Sequence, residues 1–172
     1  PKDTEALVYT GEQYGVDFQV VKAAIGANKH QRDVILAKAR ELLPELKSKT
    51  VAILGLAFKA NTDDVRDSPA LEIIQGLEEA GAIVKAYDPI ASENMKKFFL
   101  PDLDTRESVV ETVTDADLVI ILTPWNELRG LGLEDLKEHL NAPNIVDARN
   151  VLSVDKLKEH GYNYRNVGRS NI

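Results

Sequence analysis

The sequence of 172 residues predicts an α/β protein, in which a doubly wound parallel sheet follows a long α-helix. Two observations lead to this prediction. Four short apolar runs rich in strand-forming residues alternate with helical stretches: "TVAILGLAF", "IVKAYDP", "LVIILTP" and "NIVDAR". Such runs, apolar on both faces, are typical of parallel strands covered by helices on two sides. The residues before the first run have helical character throughout.

This first part is predicted to be two helices. One runs over about 2–14 and ends near a glycine, and a longer one runs over about 19–46, with no internal proline before Pro44. We therefore divide the chain into a helical interdomain or dimerisation segment, residues 1–47, and an α/β domain, residues 48–172.

One stripe of the long helix is apolar at its ends and polar in its middle. Its apolar members recur at helical spacing: Val21, Ile25, Ile35, Leu36, Ala39 and Leu43. Asn28 and Arg32 occupy the middle of the stripe, where burial without partners costs a few kcal/mol or more. Either this middle faces water, or it faces something polar such as a second copy of the helix.

The helices of the α/β part are predicted over 69–80, 92–99, 106–113 and 133–140, followed by "SVDKLKEHG" and an edge strand in "YNYRNVG". Ser68 and Pro69 form a typical helix start, since serine caps the free N–H groups and proline suits the first helical position. Gly81 is a usual stop signal after a helix. Leu71, Ile74 and Leu77 are the expected buried face of that helix.

The loop between the first strand and this helix is unusually long. If the strand ends near Ala57, residues 58–67 form the loop, where 2–6 residues are usual. Lys59 and Arg66 flank the helix start, and such loops bind ligands in doubly wound sheets, which favours a phosphate-bearing ligand. In the alternative interpretation, the loop binds nothing and both cations pair with its own acids, Asp63, Asp64 and Asp67.

Three further residues lie at predicted strand ends. Asp88 holds the position of a ribose-binding acid, but we favour a turn residue before Pro89 because the G-x-G-x-x-G spacing is absent. Trp125, the only tryptophan, is interpreted as a packing residue at a helix start. Arg149 either reaches a phosphate or carboxylate as a forked donor, or pairs with a nearby acid. A phosphorylated receiver domain is disfavoured because the third strand ends in Thr123 rather than an aspartate.

Composition excludes several classes of function. The formal charge of −7 argues against nucleic acid as a partner, since phosphates require clustered Lys and Arg. The absence of cysteine excludes disulfides, thiolate zinc sites and a thiol nucleophile within these residues. Three scattered histidines show no ligand spacing, so no metal site is predicted. Without a long apolar run or a signal-peptide pattern, we expect a soluble cytoplasmic chain that does not enter a membrane.

Together, "GLAFKANTDDVRDSPALEI", "AYDP", "ILTPWNEL" and "DARNVL" resemble the C-terminal domain of the UDP-glucose/GDP-mannose dehydrogenase family, in particular its UDP-glucose 6-dehydrogenases. The resemblance covers essentially the whole chain and implies a Rossmann-like fold. The long helix resembles the one that joins the family's two domains and carries much of the dimer contact, which would place Asn28 and Arg32 in a homodimer interface. "PKDTEAL" resembles the end of the family's C-F-P-K-D motif, which implies that the sequence begins just after the catalytic cysteine.

The resemblance also implies a chemistry and a set of roles. The family oxidises the C6 alcohol of a sugar nucleotide to a carboxylate with two NAD⁺, through a cysteine thiohemiacetal and thioester. The residue matching Asp3 takes part in handling the hydrolytic water, although an acid there could also merely favour the helix dipole. Lys59 and the backbone of Phe58 match contacts to the UDP-sugar, as does Arg149. Arg66 matches an arginine that reaches the NAD pyrophosphate, while the NAD domain itself belongs to the N-terminal half.

The choice of substrate rests on finer details of the resemblance. "PKDTEALVY" and "NTDD" look less like the UDP-N-acetylmannosamine branch, and we choose UDP-glucose over GDP-mannose. The family's commoner "DGRN" is "DARN" here, with Ala148 in place of glycine, which bears on how closely a ligand approaches that backbone. A second hypothesis is that the chain by itself is an inactive binding and dimerisation module.

Overall fold

The computed structural model describes residues 2–169 of the chain, which divide into two compact units. The first unit ends at Val34 and the second begins at Ile35. The first contains α1 (Lys2–Gln13) and most of α2 (Gln19–Leu42). Between the two helices, the Lys22 ammonium lies 2.8 Å from Glu12 and 2.9 Å from Asp17. Hydrogen bonds to these carboxylates, that to Glu12 first, raise the pKa of Lys22.

The long helix is shorter than the sequence predicts. It ends at Leu42 rather than near Leu46. The reason is Pro44, which disfavours helical geometry in the residue before it. The domain boundary that we expect at residues 47 and 48 stays a prediction.

The second unit is built on one six-stranded sheet in which all strand pairs are parallel. The strands are β1 (Thr50–Leu54), β2 (Ile83–Tyr87), β3 (Asp104–Thr105), β4 (Leu118–Ile121), β5 (Asn144–Asp147) and β6 (Asn163–Asn166). Their order is β3-β2-β1-β4-β5-β6. The chain thus extends the sheet outwards from β1 in one direction and from β4 in the other, which confirms the predicted doubly wound, Rossmann-like α/β fold.

Helices connect the strands. They are α3 (Pro69–Glu79), α4 (Ser92–Phe98), α5 (Val109–Val113), α6 (Asn126–Arg129), α7 (Leu133–Glu138) and α8 (Val154–Glu159). The start of α3 is as predicted, with the Ser68 hydroxyl accepting from the N–H of Ala70. The helix expected from Arg106 begins at Val109, because the N–H of Arg106 still bonds to Ala86 of β2.

The core lies on the faces of the sheet. All residues of β4 and β5 are buried, as expected for central parallel strands. Helix α3 buries Ala70, Ile73, Ile74 and Leu77. Leu71, which we expected on that face, is only half-buried, and Ile73 takes its place. None of the helices within residues 2–169 is long and apolar enough to cross a membrane.

Candidate functional site

The sheet order places a crevice at the carboxyl ends of β1 and β4, where the chain reverses direction across the sheet. In open α/β sheets, ligands bind at this switch point. Strand β1 ends at Leu54, three residues before the predicted end, because Gly55 turns the chain away with a φ of +101°. The loop that follows therefore spans residues 55–68.

Two loops meet tightly at this point. A Cβ atom added to Gly55 would lie 2.4 Å from the Cβ of Thr123, the second residue after β4. The Thr123 hydroxyl donates a hydrogen bond of 2.6 Å to the carbonyl of Ala57. The residue after β1 must be glycine for this approach, and the two loops hold each other in place.

A buried carboxylate gathers the loops that follow β1, β2 and β4. One oxygen of Asp88 accepts from the N–H of Leu56 at 2.8 Å and of Ala57 at 3.0 Å. The same oxygen accepts from the Trp125 indole at 3.0 Å. Asp88 is only 4% exposed, and Trp125 is buried too. These contacts agree with the predicted packing role of Trp125 and with a turn role for Asp88. A turn residue alone, however, would not join the loops after β1 and β4 as Asp88 does.

The loop of residues 55–68 has an ordered interior. The N–H of Phe58 donates to the carbonyl of Asp64 at 3.0 Å, and the Asn94 amide of α4 donates to Asp63 at 3.1 Å. Val65 is buried beneath the loop. The loop is thus fixed at its middle as well as at its ends. In this arrangement the N–H of Phe58 is not available to a ligand, since Asp64 already accepts it.

Arg66 is paired within this loop. Its Nε donates to one oxygen of Asp64 at 2.8 Å, and its Nη2 donates to the other at 2.7 Å. This hydrogen bonding, and then the charge of Asp64, raises the pKa of Arg66. For Arg66, the structure thus shows the internal pairing that our alternative interpretation required. The side chain is still 65% exposed, so its outer face remains accessible.

Lys59 behaves differently. It is exposed, and its ammonium lies 5.1 Å from the centroid of the Phe58 ring. Such cation–π contacts are weak at exposed sites, about 0.5–1 kcal/mol. Within residues 2–169 the ammonium forms no ion pair, so the carboxylates of its own loop do not neutralise it. The interpretation in which both cations are paired internally is therefore wrong for Lys59.

Arg149 follows β5 at the same edge of the sheet. Its N–H donates at 3.0 Å to Asp147, a fully buried acid that also accepts from the N–H of Leu152 and the hydroxyl of Tyr164. The guanidinium of Arg149 is exposed and donates no hydrogen bond within the described part of the chain. Strands β1 and β5 flank β4, so their axes are about 10 Å apart. Lys59 and Arg149 thus belong to loops that open on one edge.

A separate cleft of about 720 Å³ lies between the loop and α4. Its walls include Thr62, Arg66, Phe98 and Phe99. Neither Lys59 nor Arg149 lines it. Of the predicted site residues in this unit, Arg66 therefore faces a different space from the two unpaired cations.

The remaining predicted residues belong to the first unit. Asp3 is exposed in the first turn of α1. Asn28 is exposed and Arg32 is half-buried in α2. Their predicted roles, catalytic for Asp3 and in a dimer interface for Asn28 and Arg32, stay predictions.

Sequence reasoning missed how Asp88 works. The signal was an acid at the end of the second strand together with a first turn that lacks the usual glycines. What the sequence did not reveal was the partner, because the Trp125 indole comes from a loop 37 positions further along the chain.

Strand order, the long loop at the switch point and the unpaired cations on the edge define a Rossmann-like domain of the nucleotide-binding class. Residues 52–154 match the model of the "UDP-glucose/GDP-mannose dehydrogenase family, UDP binding domain". The chain belongs to the UDP-glucose/GDP-mannose dehydrogenase family, as its sequence motifs imply.

Individual proteins agree with this assignment. The chain is 37% identical to a UDP-glucose 6-dehydrogenase of Rhizobium meliloti, over 98% of this chain and 39% of that protein. It is 39% identical to one of Bacillus subtilis, over 98% of this chain and 37% of the relative. A solved UDP-glucose dehydrogenase from Pyrobaculum islandicum matches with a TM-score of 0.83 and 33% identity, over 99% of this chain and 37% of that one. The chain thus spans about two fifths of the length of these relatives.

Proposed function

We propose that these residues are the UDP-sugar-binding part of an NAD-dependent UDP-glucose 6-dehydrogenase. The reaction oxidises UDP-glucose to UDP-glucuronate with two NAD⁺ and a cysteine thioester, and NAD is held mainly by residues outside this chain. The observation that carries the proposal is the match of residues 52–154 to a UDP binding domain. This stretch contains the two unpaired cations of the sheet edge, Lys59 and Arg149.

The charges of the edge support a diphosphate ligand. An ammonium and a guanidinium, both exposed and neither in an ion pair within residues 2–169, suit the two phosphates of a nucleoside diphosphate. Lys59 supplies a flexible point charge, whereas Arg149 supplies a planar fork at the end of a loop fixed by Asp147. We assign both to substrate binding, with Phe58 beside Lys59 as a wall of the site.

Arg66 is assigned to the cofactor. Its bidentate bond with Asp64 fixes the direction of the guanidinium and leaves its outer face exposed. An arginine in this state can meet the NAD pyrophosphate without being reoriented, which reduces the entropy lost on binding. Asp3 is assigned to the handling of the water that hydrolyses the thioester, where a carboxylate acts as a proton acceptor.

Replacing Lys59 tests the proposal. Lys59→Ala removes a charge-assisted contact, so we expect UDP to bind this chain at least about tenfold more weakly, measured by calorimetry. Lys97→Ala is the matched control, because Lys97 lies at the same 5.1 Å from the ring of its neighbour Phe98. The control should bind UDP as the unchanged chain does. Equal affinity of the Lys59 variant and the unchanged chain would remove Lys59 from the site.

A second candidate function is a binding and dimerisation module without activity of its own. It is favoured by the absence of cysteine from these residues, since no thioester can form without a thiol. We predict that the purified chain produces no NADH from UDP-glucose and NAD⁺, followed as absorbance. The family also includes GDP-mannose dehydrogenases, and a preference for GDP over UDP would move the substrate to that branch.

A further inference from the structure

The first turn after β1 is where a sheet of this order presents its backbone N–H groups to a ligand phosphate. In this chain the first two N–H groups after Gly55 are those of Leu56 and Ala57, and both donate to Asp88. The anion at this turn is therefore a side chain of the protein itself.

The Asp88 carboxylate is fully engaged. Besides the two loop amides, it accepts from the Trp125 indole on the same oxygen and from the N–H groups of Ile90 and Ala91 on the other, at 3.0 and 2.8 Å. An ionised carboxylate offers about four lone-pair positions, and five donors share them here. Bonds to an ionised acceptor are roughly twice as strong as neutral ones.

Most of these contacts reach far beyond a local turn. The bonds to Ile90 and Ala91 close the turn after β2 and need only a residue that suits a turn. The bonds from Leu56, Ala57 and Trp125 instead cross 31 to 37 positions of the sequence. They fix the backbone immediately before Phe58 and Lys59.

We propose that Asp88 is an internal anion, whose carboxylate occupies the backbone amides that such a sheet offers to a phosphate and thereby holds the loop that carries Lys59. Two consequences follow. The amides of Leu56 and Ala57 are not available to a dinucleotide pyrophosphate, so a ligand phosphate near them has to be met by side chains of the edge. Asp88 is also a positioning residue for Lys59, because its carboxylate is occupied by donors of the protein itself.

The test removes the Asp88 carboxylate by mutation and then supplies a small carboxylate, formate, from solution. Asp88→Ala leaves a buried space beside the four backbone N–H groups and the Trp125 indole that donate to this carboxylate. Because Trp125 is the only tryptophan, its fluorescence emission reports on this one place. We expect the emission of the variant to shift, and formate at tens of millimolar to return it to that of the unchanged chain. Formamide has the same size without the charge, and we expect it to restore nothing.

Asp147→Ala is the matched control, since Asp147 is another buried acid that accepts backbone N–H groups at the end of a strand. Formate should leave the Trp125 emission of that variant as it is. The proposal would be overturned if formamide also restored the Trp125 emission of the Asp88 variant, or if neither compound restored it. If Asp88→Ala does not fold in a chloride buffer without formate, its helical circular dichroism is measured instead. Formate and formamide are then compared by how much of this signal each restores.

The positioning of Lys59 is tested separately, by UDP binding. This part of the proposal is the only one that rests on the proposed function. We expect Asp88→Ala to weaken UDP binding by roughly ten- to a hundredfold, as small displacements of a binding group do, and formate to reverse the loss. If the unchanged chain does not bind UDP, the proposed function fails, while the emission of Trp125 still decides the role of Asp88. Undiminished UDP binding by the variant would overturn the positioning of Lys59.

Discussion

Two cations of one loop differ in what they can do for a ligand. Arg66 is held by Asp64 through two hydrogen bonds, whereas the Lys59 ammonium lies 5.1 Å from the centroid of the Phe58 ring and forms no ion pair within residues 2–169. An exposed ion pair such as that of Arg66 contributes little to stability but fixes the direction of the side chain. Lys59 has no such partner within residues 2–169 to fix its direction. We infer that the loop presents one fixed and one mobile cation, which suits contacts to two different ligands.

A tyrosine gives the chain a predictable response to alkaline pH. Tyr162 is 4% exposed, and its hydroxyl donates to the carbonyl of Leu133 at 2.7 Å. Burial raises the pKa of Tyr162 to about 12, from an ordinary value of 10.0. The folded chain therefore keeps this proton at a pH where the unfolded chain loses it. The contribution of protonated Tyr162 to the free energy of unfolding is fully present below pH 10 and is lost as pH rises towards 12.

We expect the free energy of unfolding in urea to fall by about 1 kcal/mol per pH unit across this window because of Tyr162. The Tyr162→Phe variant should show a smaller slope, since it has no phenol to ionise. Tyr9→Phe removes the same atom from a side chain that is 65% exposed and serves as the control. Identical slopes for all three chains would mean that Tyr162 does not contribute.

At the scale of elements, the connection between β1 and α3 depends on one glycine. Gly55 has a φ of +101° and lies against Thr123 of the neighbouring loop. Gly55→Ala adds a methyl group 2.4 Å from the Thr123 Cβ in a backbone conformation that alanine avoids. We expect the variant to lose roughly 2–4 kcal/mol of unfolding free energy, from strain and overpacking together.

Gly26→Ala is the control for this substitution. Gly26 lies within α2, and a Cβ there would meet nothing within 4 Å. Alanine is favoured over glycine in a helix interior, so we expect this variant to gain up to about 1 kcal/mol. The measurement is the urea midpoint of both variants beside the unchanged chain. Similar midpoints for the two variants would contradict the close approach of the loops.

The elements that the sequence predicted are those with strong local signals. Ser68, Pro69 and Gly81 mark the ends of α3, and the apolar runs mark the strands of the sheet centre. Strand β3 was missed because Asp104–Thr105 is too short to show a period, and its pairing with β2 is set by the sheet rather than by its own residues. Helix α6 is a single turn, and the sequence indicated only its start, at Trp125.

The candidate site was predicted less completely than the fold. Lys59 and Arg66 were identified as cations of the long loop before α3, and Arg149 as a residue at a strand end, because the loops after parallel strands gather at one edge. Which cation is paired depends on side-chain geometry within a loop, as in the bond between Arg66 and Asp64. The role of Asp88 depends on contacts with distant residues, which no local pattern reveals.

At the scale of the whole molecule, the parallel sheet gives the α/β unit one polar edge for binding. All six strands point the same way, so every loop after a strand opens on that edge. Lys59, Arg149 and Asp88 belong to these loops, and the buried Asp147 is the last residue of β5. The fold therefore gathers these charged groups at one edge of the sheet.

The predicted homodimer is a property of the long helix. If α2 packs against its own copy around the stripe of Asn28 and Arg32, then Asn28→Lys would bring like charges together across a two-fold axis. We expect the unchanged chain to sediment as a dimer at tens of micromolar and the variant to shift towards monomer. Ala37→Lys adds the same charge outside the stripe and should leave the dimer intact. A monomeric unchanged chain at that concentration would contradict the interface.

Calorimetric titration of this chain with UDP, UDP-glucose, GDP and NAD⁺ in parallel tests the proposed binding site most directly. We place a nucleoside diphosphate site at Lys59 and Arg149 and no dinucleotide site at the turn closed by Asp88. We therefore expect heat of binding with UDP and UDP-glucose, and none with GDP or NAD⁺. Binding of NAD⁺ without binding of UDP would contradict it.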